Sequence, residues 1–194
     1  VSPFGRSPRR AMIFRNPPAW IRSAMASSSL REWPTHVRCG MTVNPKSSLR
    51  NALTCAVRES GAIAYRIGIV PDDRARLLSM IEDQLVRAEL VITTGGVSAG
   101  AYDTVKEVLS RLGTVEFAKV AMQPGMPQGF GTIGPDATPI FTLPGNPVSA
   151  YVWFEVFVRP AIRRMLGVEQ LYRPLVRATL TEPLALRQRN ALED

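Results

Sequence analysis

The chain has 194 residues, with 24 Lys and Arg against 16 Asp and Glu, a formal net charge of +8, and 45% apolar but only 7% aromatic residues. That length supports one substantial core plus extra pieces, and no apolar run approaches the roughly 18 residues of a membrane span. Two cysteines without CxxC spacing, Cys39 and Cys55, and a single histidine, His36, exclude a Cys/His zinc site built from this chain alone. They supply no disulfide framework either, so a reducing cytoplasm is the default compartment.

The charge is unevenly placed. Residues 1–54 hold nine Arg or Lys and one acid, Glu32, whereas residues 55–194 hold fifteen of each sign. The basic part also carries prolines at 3, 8, 17, 18, 34 and 45 and serines at 27–29. Neither a helical nor a strand period is sustained across it. Residues 1–51 are therefore expected to be irregular or disordered. A transit peptide and a stretch foreign to the fold, such as a misread start, are the competing readings. Arg15 and Arg22 interrupt any secretory apolar region. Nucleic-acid binding is not expected, because stacking aromatics are few and no recognised motif is present.

From about Ala52 the pattern becomes regular. Leu53, Ala56 and Val57 mark the end of a helix closed by Gly61. Ala62 to Val70 alternates through Ile63, Tyr65, Ile67 and Ile69 and predicts a strand, followed by the turn Pro71-Asp72-Asp73. A helix over 74–87 carries Leu77, Leu78, Ile81 and Leu85 on one face. Leu90 to Thr94 is too continuously apolar for a water-facing edge strand. A helix over 104–112 has Val105, Val108, Leu109 and Leu112 inward, stopped by Gly113. Strands are expected over 114–122, 128–133 and 138–143. Asn146 caps a last helix with Pro147 at its first position; Pro160 should kink it and Gly167 end it near Leu166.

Strands alternating with helices predict an α/β three-layer sandwich with a mostly parallel sheet, and ligands of such sheets bind beyond the carboxyl ends of the strands. Three segments follow directly after strands: Asp72, the Gly-rich run GGVSAG (Gly95, Gly96, Ser98, Gly100) leading to Asp103, and PGNP (Pro144, Gly145, Asn146) leading to Ser149. Strand, glycine loop and helix start together make an anion site. Glycines admit close backbone approach, and the helix terminus supplies N–H donors and positive potential. Duller roles exist for each residue. Asp72 and Asp73 could cap the next helix, Asn146 is a cap in any case, and Gly95 and Gly96 could be turn glycines. Thr104 to Glu107 reads as a T-x-x-E capping box, which would leave Asp103 to face the loop.

VITTGGVSAGAYDTVKEVL, VAMQPGMPQGFG and FTLPGNPVSA resemble the molybdenum-insertion enzymes of molybdenum-cofactor synthesis, the MoeA family that includes the gephyrin E domain. The resemblance runs from about Leu53 to Gly167. It implies a molybdopterin-binding domain, MogA-like in fold, over 52–168. Residues 169–194 would then begin a small C-terminal β-domain that breaks off. The implied activity is insertion of molybdate into adenylylated molybdopterin with release of AMP, assisted by Mg²⁺ or a similar ion. Carried over position by position, Asp72 and Asp103 would be catalytic, and with Asp73 would hold the metal through oxygen ligands. Gly95, Gly96, Ser98, Gly100, Pro124, Gly125, Pro144, Gly145, Asn146 and Ser149 would bind the pterin nucleotide. A homodimer is implied for the full-length family, with no membrane partner. An adenylyltransferase-like activity and a non-catalytic pterin-nucleotide-binding fragment are the alternatives.

The chain also departs from the family pattern. Gln123 and Met126 stand where lysines are common, and Glu89 stands where Asp is usual. The first apolar strand and its acidic turn have no counterpart in residues 1–51, so a central strand is expected to be absent or replaced. The family's two N-terminal domains have no counterpart here either.

Overall fold

A computed structural model describes residues 36–42, 47–67, 74–95, 101–122, 125–177 and 179. Most of the basic N-terminal segment, the Asp72–Asp73 turn and most of residues 178–194 lie outside the described residues. In chain order the elements are β1 (Arg38–Thr42), α1 (Ser47–Glu59), β2 (Ile63–Ile67), α2 (Arg74–Leu85), β3 (Leu90–Thr94) and α3 (Ala101–Leu112). Then follow β4 (Gly113–Lys119), β5 (Pro127–Ile133), β6 (Thr138–Leu143), α4 (Pro147–Trp153), a π-helical turn (Phe154–Val158) and α5 (Arg159–Met165).

The described strands form one sheet in the order β2-β1-β3-β6-β5-β4. β2, β1, β3 and β6 run parallel, while β5 lies antiparallel to both β6 and β4. Helices cover both faces. On one, α1 and the α4–α5 helix bury Leu53, Val57, Trp153, Phe154 and Ile162 against Met41, Ile92 and Phe141. On the other, α2 and α3 bury Leu77, Ile81 and Leu109 against Val91, Ile140 and Ile133. This is the α/β sandwich expected from the alternation of elements, and all five residues of β3 are buried, as a strand covered on both faces must be.

The largest departure is β1. The segment read as irregular contains a strand, and it lies at the centre of the sheet between β2 and β3. Arg-Cys-Gly-Met-Thr has no apolar run to announce it. Cys39 and Met41 are nonetheless fully buried on the α1 face. On the opposite face Gly40 leaves room for α2: a Cβ there would come 2.9 Å from Gln84 Oε1 and 3.3 Å from Ala88 Cβ. Glu89 stitches the strand in place. Its backbone N–H donates to the Arg38 carbonyl at 2.9 Å, and its carboxylate accepts from Arg38 Nε at 2.8 Å and from the Arg38 backbone N–H. Burial pushes the Glu89 carboxyl up, but the hydrogen bonds and charge of Arg38 outweigh this and hold it below its ordinary value of 4.5. With a depressed folded-state value, the stability from this pair is complete above about pH 4.5 and is lost as pH falls through the lower folded value. Glu89→Gln should therefore lose stability at pH 7 and show a shallower decline between pH 5 and pH 3. Urea titrations at the two pH values check this, and parallel losses in both proteins would refute it.

β2 is the edge strand, and its alternation runs opposite to expectation. Ala62 and Ala64 face α1, whereas Ile63 and Tyr65 are 44% and 43% exposed. The apolar side chains that α2 and α3 cover on that side belong to β3, β4, β5 and β6, and the outer face of β2 has no part in that layer. α3 begins at Ala101, three residues earlier than expected, which places Thr104 inside the helix. The T-x-x-E box is therefore not its cap. Glu107 instead pairs with Arg74 at 2.9 Å and with Arg111 one turn on, also at 2.9 Å. Pro160 sits in the first turn of the helix segment that follows the π turn. The chain widens into the π turn just before it, with the Arg159 N–H reaching back to the Phe154 carbonyl. That longer reach accommodates the ring, which would clash with the carbonyl four residues back. Gly167, at φ +71°, ends the helix as expected.

After α5 the chain folds back along the helix. Arg159 and Arg163 donate to the carbonyls of Leu171 and Gln170, at 3.1 and 2.6 Å. Arg173 bridges Glu155, at 2.8 Å, and Glu59 of α1, at 3.0 Å. The Arg173 hydrogen bond holds Glu155 below the usual carboxylate range against the opposing effect of burial.

Candidate functional site

The carboxyl ends of the parallel strands define one rim. Because β5 reverses direction relative to β6 and β4 reverses it again, the β4–β5 connection returns to the same rim. The carboxyl ends of β1, β2, β3, β6 and β4 thus share that rim. β3 and β6 are adjacent, yet β3 leads to α3 on one face and β6 leads to α4 on the other. Loops that part in this way open a crevice, and such switch points are where open α/β sheets bind ligands.

The two glycine loops meet at that point. Gly95, at φ +89°, donates its N–H to the Leu143 carbonyl at 3.2 Å. A Cβ on Gly145 would lie only 3.2 Å from Gly95 Cα, so the loops approach backbone to backbone. The 120–126 turn is tied to the same place. Buried Trp153 donates from Nε1 to the Gly125 carbonyl at 2.7 Å and stacks on Phe157 with centroids 3.9 Å apart. Gly125, at φ +107°, has no room for a side chain: a Cβ would stand 2.5 Å from Trp153 Cδ1 and 3.8 Å from Ser149 Cβ. The sequence reading missed Trp153. An indole seven residues beyond Asn146 resembles any core residue until the turn it holds is seen.

The structure therefore brings together Gly95, Gly125, Pro144, Gly145, Asn146 and Ser149. Gly96, Ser98, Gly100, Pro124, Asp72 and Asp73 lie outside the described residues. Asp103 occupies the first turn of α3, directly after the Gly-rich loop; its side chain is likewise outside the description. β1 separates β2 from β3, so the strand ends preceding Asp72 and the GGVSAG loop are two strand spacings apart, about 10 Å. Among the described residues, no group of three His, Cys, Asp or Glu side chains could hold a metal ion.

The two helix starts differ chemically. At α4, Asn146 Oδ1 accepts from the N–H groups of Val148 at 3.0 Å and Ser149 at 3.3 Å, and the Asn146 carbonyl takes that of Ala150 at 2.9 Å. Pro147 has no N–H, so the first turn of α4 has no backbone donor left for an anion. Asn146 is a working cap. What this end offers a ligand is side-chain polarity and the helix dipole.

A mostly parallel α/β sheet, with two glycine turns in contact at the carboxyl ends of β3 and β6, defines the open-sheet class whose ligands bind beyond the strand ends. The sequence model described as the probable molybdopterin binding domain matches residues 44–164. The chain belongs to that family. It is 48% identical over 153 residues to molybdopterin molybdenumtransferase 2 of Mycobacterium tuberculosis, an alignment covering 73% of this chain and 37% of that protein. Gephyrin of Dictyostelium discoideum is 37% identical over 140 residues, with 62% of this chain and 20% of that one covered. The chain thus spans well under half the length of these relatives. Among solved structures, a molybdopterin biosynthesis MoeA protein from Pyrococcus horikoshii superposes with TM-score 0.58 and 29% identity, over 69% of this chain and 36% of that one. The MoaB protein of Thermus thermophilus shares the fold at TM-score 0.53 and 20% identity, with 68% of this chain and 97% of that one covered.

Proposed function

We propose that this chain carries the pterin-nucleotide centre of a molybdopterin molybdenumtransferase: it binds adenylylated molybdopterin, accepts molybdate and releases AMP. The observation that carries the proposal is the contact of Gly95 with Gly145 at the β3/β6 switch, in a chain 48% identical to such enzymes. The GGVSAG backbone and the α3 terminus would hold the phosphates, with Ser98 adding a hydroxyl. Gly145, Asn146 and Ser149 would line the other wall, and Pro124-Gly125 would close the side. Asp72, Asp73 and Asp103 offer hard oxygen donors of the kind Mg²⁺ prefers, and such an ion, when bound, offsets phosphoanhydride charge. Gln123 and Met126 leave this wall without the cations common in the family, so charge neutralisation rests on backbone donors and the ion. A cytoplasmic homodimer, with the site completed by domains outside this chain, belongs to the same proposal.

Asp103→Ala should leave the melting temperature within a few degrees of the parent and reduce AMP release at least about a hundredfold, an effect of general acid–base or metal-ligand size. Release would be followed by chromatography after adding adenylylated molybdopterin, molybdate and Mg²⁺. An unchanged rate would remove Asp103 from the site. Tight binding without AMP release by the parent chain would favour the non-catalytic reading, which the 37% coverage of the relative makes the specific alternative.

A further inference from the structure

Gln128 is the second residue of β5, where that strand leaves the rim, and it is only 3% exposed. It pairs in register with Ala118 and lies next to the Gly129–Thr142 pair. Strand alternation then puts it on the sheet face of Phe130, whose ring packs on Phe141 in the layer under α4. Neither its Oε1 nor its Nε2 has a hydrogen-bond partner. Burying a carboxamide with both ends unpaired is costly, and an apolar side chain of similar volume would remove that cost. An orphan amide is therefore a sign of a partner that comes and goes.

Its location says which partner. β5 begins two residues after Gly125, whose carbonyl Trp153 holds beside Ser149. Gln128 thus lies on the α4 face of the sheet, at the end of β5 next to the carboxyl-end rim. We infer that Gln128 reads the flat heterocycle of the ligand; this rests on the pterin-nucleotide proposal above. A carboxamide presents an acceptor and a donor side by side, the complement of a lactam edge, C=O next to N–H, such as that of a 2-amino-4-oxopteridine. Its three side-chain torsions let the amide turn from the layer toward the crevice. It gives up no hydrogen bond in doing so, because it has none to lose.

The test uses the whole chain and two fluorescent probes, pterin (2-amino-4-oxopteridine) and 2-aminopteridine, which lacks the lactam. The parent should prefer pterin. Gln128→Leu should bind pterin at least about tenfold more weakly, the worth of one good hydrogen bond, and lose that preference, with a melting temperature equal to or above the parent's. Gln128→Met serves the same purpose if the leucine variant fails to fold. Retained affinity and preference would overturn the inference, and if accompanied by a lower melting temperature would show that the amide only anchors an ordered water. A parent chain that binds no pterin would overturn the functional proposal itself and this inference with it, a result visible before any variant is made.

Discussion

Trp153→Ala should destabilise the protein by about 3–5 kcal/mol, the usual cost of removing a fully buried indole, and should weaken ligand binding as well. Trp153 is 1% exposed, stacks on Phe157 and supplies a side-chain hydrogen bond to the Gly125 carbonyl. Two losses are thus coupled: the core between α4 and the sheet loses its largest side chain, and the 120–126 turn loses its anchor at the crevice. Trp153→Phe separates them. It keeps most of the packing and removes the indole N–H, so it should cost about 1 kcal/mol in stability while affecting binding nearly as much as alanine does. Equilibrium urea unfolding with pterin titration reads both quantities. A loss below about 1 kcal/mol for Trp153→Ala would show that the layer under α4 is not packed as described.

Gly131→Ala should be the most damaging single-methyl change, costing about 3 kcal/mol, the upper end for overpacking. A Cβ at Gly131 would overlap the Thr114 carbonyl oxygen and stand 2.6 Å from Val115 Cα. Both are backbone atoms of the paired strand and cannot rotate away. β4 would have to separate from β5, loosening the end of the sheet that carries the 120–126 turn. Gly167→Ala is the control. At φ +71° with nothing within 4 Å, it should cost only the left-handed backbone penalty, about 1 kcal/mol. Equal losses for the two variants would refute the close approach at Gly131.

Much of this protein was legible without coordinates because it follows from local periodicity and backbone chemistry. Five consecutive buried residues at Leu90–Thr94 read as a covered strand, since only a sheet with helices on both faces takes such a run. Asn146-Pro147 and Gly167 bounded the last helix, because a cap and a left-handed terminator act within a few residues. The shared rim of the strand carboxyl ends followed from strands alternating with helices.

What tertiary structure alone decided concerns partners distant in sequence. Arg38–Thr42 becomes a central strand because Glu89 and the strands on either side supply hydrogen bonds that five residues with a glycine in the middle do not advertise. Ile63 and Tyr65 alternate like core residues but face outward, because strand order made β2 an edge. Asn146 read as a cap from the sequence, but only the contacts show that its side chain and carbonyl leave no N–H of the first turn of α4 for an anion. Composition and spacing singled out the segments to which the proposed chemistry is assigned. Strand order and long-range contacts decided that Gly95 meets Gly145, that Trp153 holds Gly125, and that Gln128 lies buried without a partner. Short-range sterics act along the chain, whereas burial and pairing are settled only when the sheet closes.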